Sequence, residues 1–344
     1  MSILADTQAA PVQITTRALS LLILLVLAFV AVPAFAPAYA VEAIFLPFLA
    51  LSLAGVGLNL LTGYGGQVSL GSAAFMAVGA FAAYNFNLRL PGLPLPVTIL
   101  LAAVTAAGVG LVFGLPSLRL RGFYLAVSTL AAQFFVGWAL TRFGWFSNHS
   151  ASGIISAPHM SFLGFSLDGT VGRYLLALTL VTLITLLVWA ITTSPFGTNL
   201  IAVRDNETAA RVVGIPVLQT KLIAFALSSA IIGVAGVLWA FTYLRTVEPA
   251  GFDLDRSFDV LFIIIIGELA TIRGAFLGAA LIVAFPLILS RFGALVLGGV
   301  IDSGVQELVQ RIILGLLIIL ILILEPNGLA AILDRLSRWV SRVK

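Results

Sequence analysis

The sequence contains no cysteine, and His149 and His159 are its only histidines. A disulfide framework and a thiolate metal site are therefore excluded. Two histidines in loops are more typical of polar surface than of a metal site. We predict that this chain holds no metal.

Charged residues are also scarce, at 9% of the 344 residues, whereas 61% are hydrophobic. An ordinary soluble domain has about 25% charged residues, so a water-soluble fold is excluded. The apolar runs are continuous and lack the alternation of membrane strands, which favours an all-α integral membrane protein. The net charge of +4 forms no basic face, so no nucleic-acid partner is expected.

Apolar runs predict about ten transmembrane helices. The seventh of these ends near Tyr243, and the eighth is too short to span unless its neighbours extend it. The predicted spans cover residues 18–36, 42–61, 68–86, 96–115, 123–140, 174–191, 222–243, 260–266, 275–289 and 308–324. Two sets of five would form inverted halves, an arrangement common among transporters.

Basic residues indicate how these spans are oriented, because Lys and Arg are retained on the cytoplasmic side. With the N-terminus inside, eleven of the 18 basic residues fall on the cytoplasmic side. Both termini are then cytoplasmic. The predicted organisation is a cytoplasmic segment at 1–17, one transmembrane domain at 18–325 with a cytoplasmic loop at 194–219, and a basic cytoplasmic tail at 326–344.

The first apolar run also has features of a secretory signal. Arg17 precedes it, and Ala38, Tyr39 and Ala40 form a small-residue cleavage pattern. The lead-in has no positive charge before Arg17, and cleavage near residue 40 would be late. Retention of this helix is the preferred interpretation.

The chain lacks the means to drive transport by itself. A phosphate-binding loop needs Gly-Lys followed by Ser or Thr, yet Lys221 and Lys344 are the only lysines and neither follows glycine. The predicted helices carry almost no central charges for ion coupling, although backbone carbonyls could still bind an ion. Catalytic side chains do not cluster, so we predict no enzyme.

A glycine-rich polar segment interrupts the apolar pattern between the second and third spans. Non-helical backbone at membrane depth survives when it is buried in protein or faces a watery cavity, and amides and hydroxyls can bind a polar solute. We name residues 59–72 the path segment and predict that it lines a substrate path. The alternative is a packing turn between helices. The candidate path residues are Asn59, Gly63, Tyr64, Gly65, Gly66, Gln67, Ser69, Gly71 and Ser72.

The loop at 194–219 carries a short predicted helix. Asp205 or Asn206 can cap it, and Gly214 with Pro216 can end it. Such a short helix is unstable alone in water, so it either docks into a partner or packs as a plain connection. The candidate docking residues are Arg204, Asp205, Glu207, Ala209, Ala210, Arg211 and Gly214.

Both segments resemble those of permease subunits of branched-chain amino-acid ABC importers. The matching stretches are 60–71, 73–75, 118–124, 194–197, 204–207, 209–210, 214–215 and 221–225. The resemblance implies that 204–214 is a coupling helix on a multi-pass protein of the bacterial inner membrane. It also implies a second homologous permease subunit, two cytoplasmic ATPase subunits that bind ATP and magnesium, and an external solute-binding protein. This chain itself would bind no cofactor.

Three departures from the family pattern concern the solute. Ser72 stands where relatives often have histidine, and the stretches 148–153 and 267–270 differ from the usual glycine-rich ones. Branched-chain or related amino acids are the expected solutes, and related permeases import urea, amides or aromatic acids. An ion-coupled carrier or channel acting alone is the alternative of a different class.

Overall fold

The computed structural model describes residues 23–117, 123–150, 153–162, 165–297, 303–325, 328–332 and 335. The predicted segment 1–17, the matching stretch 118–122 and most of the tail 326–344 lie outside these residues. The helices are α1 (Ile23–Phe35), α2 (Ala38–Tyr64), α3 (Ser72–Arg89), α4 (Leu95–Ser117), α5 (Phe123–Arg142), α6 (Thr170–Thr193), α7 (Pro195–Asp205), α8 (Glu207–Val212), α9 (Val217–Leu244), α10 (Leu254–Gly267), α11 (Ile272–Leu297) and α12 (Ser303–Leu324).

Within the described part of the chain, each predicted span coincides with a helix. Six of these helices, α2, α4, α5, α6, α9 and α11, are long and apolar enough to cross a membrane. The short eighth span becomes α10, which begins earlier than predicted, at Leu254, and has 14 residues. The prediction of an all-α multi-pass membrane protein is confirmed.

The core lies where α2, α3, α9 and α10 meet. Phe75, Phe81, Phe225 and Phe241 are among its fully buried side chains. A Cβ on Gly79 of α3 would overlap the backbone carbonyl of Gly233 on α9. Small residues thus bring these two backbones into contact, which is how helices associate in lipid.

The peripheral helices carry exposed apolar side chains, such as Leu100 on α4 and Leu183 on α6, at 64% and 58% exposure. In water such surfaces would be unfavourable, whereas lipid accommodates them. The hydrophobicity of a side chain therefore does not indicate whether it faces lipid or packs against another helix.

The two halves of the chain repeat one order of elements. Both α2 and α9 finish in a wider π-helical turn, at Leu60–Tyr64 and Trp239–Leu244. Each is followed by a non-helical stretch and then by a shorter helix, α3 or α10. Residues Pro249–Phe252 form a 3₁₀ turn in the second of these stretches.

Four two-residue strands lie outside the helices: β1 (Ile155–Ser156), β2 (Ser161–Phe162), β3 (Phe165–Ser166) and β4 (Thr246–Val247). β1 pairs with β4 antiparallel, and β2 pairs with β3. Helix α6 runs from β3 to α7, and α9 runs from α8 to β4. The strands and α8 therefore lie at opposite ends of these two long helices.

Candidate functional site

The path segment begins as a folded turn at the end of α2. The N–H groups of Gly66 and Gln67 donate to the carbonyls of Thr62 and Leu61, both at 3.1 Å. The Thr62 hydroxyl donates to the Gln67 carbonyl at 2.9 Å. Gly66 has a φ of +66°, a backbone angle that glycine adopts without strain. Local hydrogen bonds and one glycine therefore fix the shape of this turn.

Most of the predicted path residues are buried in this single chain. Tyr64 is partly buried and Gly66 exposed, whereas Asn59, Gly63, Gly65, Gln67, Ser69, Gly71 and Ser72 are buried. Among the described residues, neither polar atom of the Gln67 amide has a hydrogen-bond partner, and the Ser72 hydroxyl has none either. Unpartnered polar groups are costly to bury, so packing does not account for these two side chains.

Two polar side chains that were not predicted as functional accept hydrogen bonds from the first N–H groups of helix α3. The Ala73 N–H donates to Ser257 Oγ at 2.9 Å, and the Ala74 N–H donates to Gln133 Oε1 at 2.6 Å. Gln133 in turn donates to the Phe252 carbonyl at 2.9 Å. A lone amide in the apolar α5 was the available signal, since a buried amide requires partners.

Asn59 joins the path segment to the connection between α10 and α11. Its Nδ2 donates to the Thr271 carbonyl at 2.7 Å, and its Oδ1 accepts from the Ala270 N–H at 2.9 Å. A Cβ on Gly63 would collide with the Asn59 side chain and the Ala270 backbone. The path segment and the connection between α10 and α11 are therefore in direct contact.

The predicted coupling helix consists of two helices. Arg204 and Asp205 end α7, and α8 covers only the six residues Glu207–Val212. The Asn206 side chain accepts from the N–H groups of Thr208 and Ala209, both at 3.0 Å, so Asn206 is the N-cap. Gly214, with a φ of +94°, ends the turn after α8, as predicted.

One face of α8 packs and another protrudes. Ala210 is buried against Val203 and Val217. Glu207 forms an ion pair with Lys221 of α9, which ties α8 to a long membrane helix. In contrast, Val212 and Val213 are 83% and 81% exposed.

The exposed face of α8 continues into an open groove. The groove has a volume of about 380 Å³ and is lined by Arg211, Ile215, Pro216, Val217, Leu218 and Gln219. Apolar side chains that protrude beside a groove are typical of a protein interaction surface. We call this groove, together with Val212 and Val213, the docking surface.

Arg204 connects the two predicted functional segments. Its Nη1 donates to the Gly63 carbonyl at 2.9 Å, although the two residues are 141 positions apart. Its Nε donates to Asp205 at 2.9 Å, which orients the guanidinium group. A Cβ on Gly66 would lie 2.6 Å from Arg204 Cγ. The end of α7 therefore rests directly on the path segment.

Comparison with known proteins supports the family resemblance. The model of the family described as "Branched-chain amino acid transport system / permease component" matches residues 40–322. The high-affinity branched-chain amino acid transport system permease protein LivM is 30% identical in Escherichia coli and 29% in Salmonella typhimurium. These two alignments cover 80% of this chain and 66% of each relative.

A more distant relative is a probable branched-chain amino acid transport permease protein LivM from Methanocaldococcus jannaschii. It is 25% identical over 68% of this chain and 67% of its own length. No solved structure matches the chain. With the family model matching most of its length, the chain belongs to the family of permease components of branched-chain amino acid transport systems.

Proposed function

We propose that this chain is a permease subunit of an ATP-driven importer for branched-chain or related amino acids. Family membership and the printed names of the relatives support this function. The observation that carries it is the contact of Arg204 with the Gly63 carbonyl, because it links an exposed docking surface to buried, unpartnered polar groups. A protein that receives energy from a partner requires such a link.

The docking surface receives a cytoplasmic ATPase subunit. A six-residue helix is unstable by itself, and Ala210 and the Glu207–Lys221 ion pair hold α8 on the membrane domain. Val212 and Val213 remain for a partner to bury. The complete importer contains two ATPase subunits with ATP and magnesium, a second homologous permease subunit and an external solute-binding protein. Lipid surrounds it, and this chain binds no cofactor of its own.

ATP-driven movement of α8 is transmitted through α7 and Arg204 to the path segment. From there Asn59 extends the contact to the connection between α10 and α11. Displacement at the docking surface therefore reaches both the path segment and the connection between α10 and α11. This movement switches the membrane domain between outward and inward access, and Gln67 and Ser72 then meet the solute.

The chain crosses the bacterial inner membrane ten times with both termini in the cytoplasm. The repeated element order of α2–α3 and α9–α10 favours two inverted halves. Segment 1–17 and tail 326–344 are cytoplasmic, and 18–325 forms a single membrane domain. Under this topology α8 faces the cytoplasm and the strand region faces outward.

The docking claim is tested with Val212→Asp and Val213→Asp in the reconstituted importer. A charge on the docking surface should lower solute-stimulated ATPase activity at least tenfold, because burying an unpaired carboxylate is costly. Ile154→Asp is the matched control, since Ile154 is a 48% exposed apolar residue at the opposite end. Wild-type coupling in both α8 variants would refute docking at this surface.

The path claim is tested with Gln67→Met. Since the Gln67 amide has no partner in the described structure, an apolar side chain of similar length should leave the unfolding temperature unchanged or higher. Uptake should nevertheless fall. Gln133→Met is the contrasting variant, because Gln133 has partners and its loss should lower stability. Normal uptake with Gln67→Met would return the path segment to a packing role.

Uptake into vesicles that contain the reconstituted importer distinguishes an ATP-driven importer from an ion-coupled carrier or channel. Uptake that requires ATP and the ATPase subunits supports an importer, whereas uptake by the isolated chain under an ion gradient supports a carrier or channel. Competition among branched-chain amino acids, aromatic acids, amides and urea then identifies the solute class.

A further inference from the structure

A cavity of about 350 Å³ lies between five helices at the end of the bundle opposite α8. This volume is within the range of small-molecule sites, about 300–1,000 Å³. Pro47 and Leu51 of α2 and Pro286 of α11 contribute apolar walls, and Trp239 and Arg256 contribute polar groups. We call it the outer cavity. It does not include any residue of the path segment.

The outer cavity contains hydrogen-bond donors without acceptors. Trp239 is 3% exposed, and among the described residues its indole nitrogen has no partner. The Nε of Arg256 is buried and likewise has none among them. Indole and guanidinium nitrogens can only donate, so each requires an acceptor oxygen. A ligand that satisfied both would bring acceptor oxygens, such as those of a carboxylate.

The guanidinium of Arg256 lies over the Trp239 ring, 4.1 Å from its centroid, and pairs with Asp259 at 2.8 Å. The second Asp259 oxygen can accept from an ammonium group. Arg311 of α12, which also lines the cavity, pairs with Asp255 at 2.5 Å. Fixed charges of both signs therefore line a cavity whose other walls are mainly apolar.

We propose that the outer cavity binds a free amino acid with an apolar side chain. The carboxylate would accept from Trp239 and Arg256, and the ammonium group would donate to Asp259. The side chain would lie against Leu51, Ile282, Pro286 and Leu314, which line the cavity. This inference rests on the proposed import function and adds to it an entry site, separated from the docking surface by most of the 28-residue α9.

A diazirine analogue of leucine tests the site in the complete importer in nanodiscs. The probe keeps the carboxylate and ammonium groups and carries the photoreactive group in its side chain. We expect adducts on cavity residues of α2, α9, α11 and α12, located by mass spectrometry. Excess L-leucine should abolish them, whereas leucinol, which lacks the carboxylate, should not. Adducts confined to other regions, or insensitive to L-leucine, would overturn the proposal.

Trp239→Phe keeps an aromatic ring beneath Arg256 and removes the N–H group together with the pyrrole part of the indole. The half-saturating leucine concentration for uptake should rise about tenfold, as expected for one lost hydrogen bond to a charged group. Trp189→Phe is the matched control, because Trp189 is 58% exposed on α6. Unchanged saturation in Trp239→Phe would contradict the site. Photolabelling of the wild-type importer needs no variant, so a folding defect does not obscure the result.

A zwitterionic lipid headgroup has similar chemistry, so labelling is repeated with and without phosphatidylethanolamine. If this lipid abolished the adducts while ATP-driven leucine uptake continued, the cavity would be a lipid site and the proposal would be wrong. If the wild type transported no amino acid at all, the proposed function would fail and this inference with it. Leucine uptake without cavity adducts would refute the cavity alone.

Discussion

Asn59 shows how one side chain can hold two interrupted regions of a membrane protein together. It is 1% exposed and uses both ends of its amide on the connection between α10 and α11. Backbone groups outside a helix need partners in a medium without water. An amide suits this position because it donates to one backbone group and accepts from the next.

Asn59→Ala should lower the free energy of unfolding by about 1–3 kcal/mol, because the Ala270 N–H and the Thr271 carbonyl lose their partner. Gln219→Ala, at an exposed amide of α9, should change it by less than about 0.5 kcal/mol. Denaturant unfolding in mild detergent measures both values. Equal stabilities for the two variants would contradict a bridging role of Asn59.

At the scale of elements, the contact between α7 and the path segment depends on guanidinium geometry. Arg204 binds the Gly63 carbonyl through one nitrogen and Asp205 through another. A lysine cannot reproduce this planar arrangement, although it keeps the charge. The contact is thus specific to arginine, and a conservative substitution can test it.

Arg204→Lys should reduce solute uptake per ATP hydrolysed by about tenfold, the effect of roughly one lost charge-assisted hydrogen bond. Binding of the ATPase subunits should persist, because the docking surface is unchanged. Arg142→Lys, at an exposed residue of α5 outside the docking surface and the path segment, serves as the control and should remain near wild type. Parallel assays of uptake and ATP hydrolysis in proteoliposomes give the ratio. A wild-type ratio for Arg204→Lys would eliminate the proposed transmission.

The loop before α6 has an acid-sensitive attachment. Burial alone would raise the pKa of Asp168, but hydrogen bonds with His159 and the Met160 N–H, together with the charge of Arg245, lower it below the ordinary value of 3.8. The ionised carboxylate therefore stabilises the folded loop at pH values above 3.8. That stabilisation is lost as the pH falls through the lowered pKa.

Hydrogen exchange in the peptide spanning 155–168 should therefore increase below about pH 4, the ordinary range of an aspartate. Asp168→Asn should show faster exchange already at pH 7 and little further change on acidification. A wild-type loop whose exchange, corrected for the intrinsic pH effect, stayed constant from pH 7 to pH 3 would contradict this attachment.

Local chemistry made the helices predictable but not their contacts. Continuous apolar runs determine where membrane helices form, and Asn206 and Gly214 delimit α8 through their own backbone preferences. The contact between Arg204 and Gly63 joins residues 141 positions apart, so no local pattern contains it. In the sequence, Asp259 and Arg311 lie near the ends of predicted spans, a position typical of interfacial charges. The cavity that they line could not be predicted, because lipid-facing and packed surfaces are equally apolar and the sequence does not show which helices pack together.

At the scale of the whole molecule, the strand region and α8 lie at opposite ends of the helices, and the proposed function assigns these ends to opposite sides of the membrane. The outer cavity is lined by the end of α9 that precedes β4, whereas the docking surface adjoins α8. Solute would then enter at one end while energy is delivered at the other. This assignment requires α8 to be cytoplasmic.

Because the chain has no cysteine, single cysteine substitutions can test this orientation without a background of native thiols. Ser161→Cys lies on β2 and Thr208→Cys on α8, and both positions are exposed. A membrane-impermeant maleimide should label Ser161→Cys in intact spheroplasts, whereas Thr208→Cys should react only after permeabilisation. The cysteine-free chain controls for background. The reverse labelling pattern would place α8 outside, where no ATPase could reach it, and would refute the coupling mechanism together with the topology.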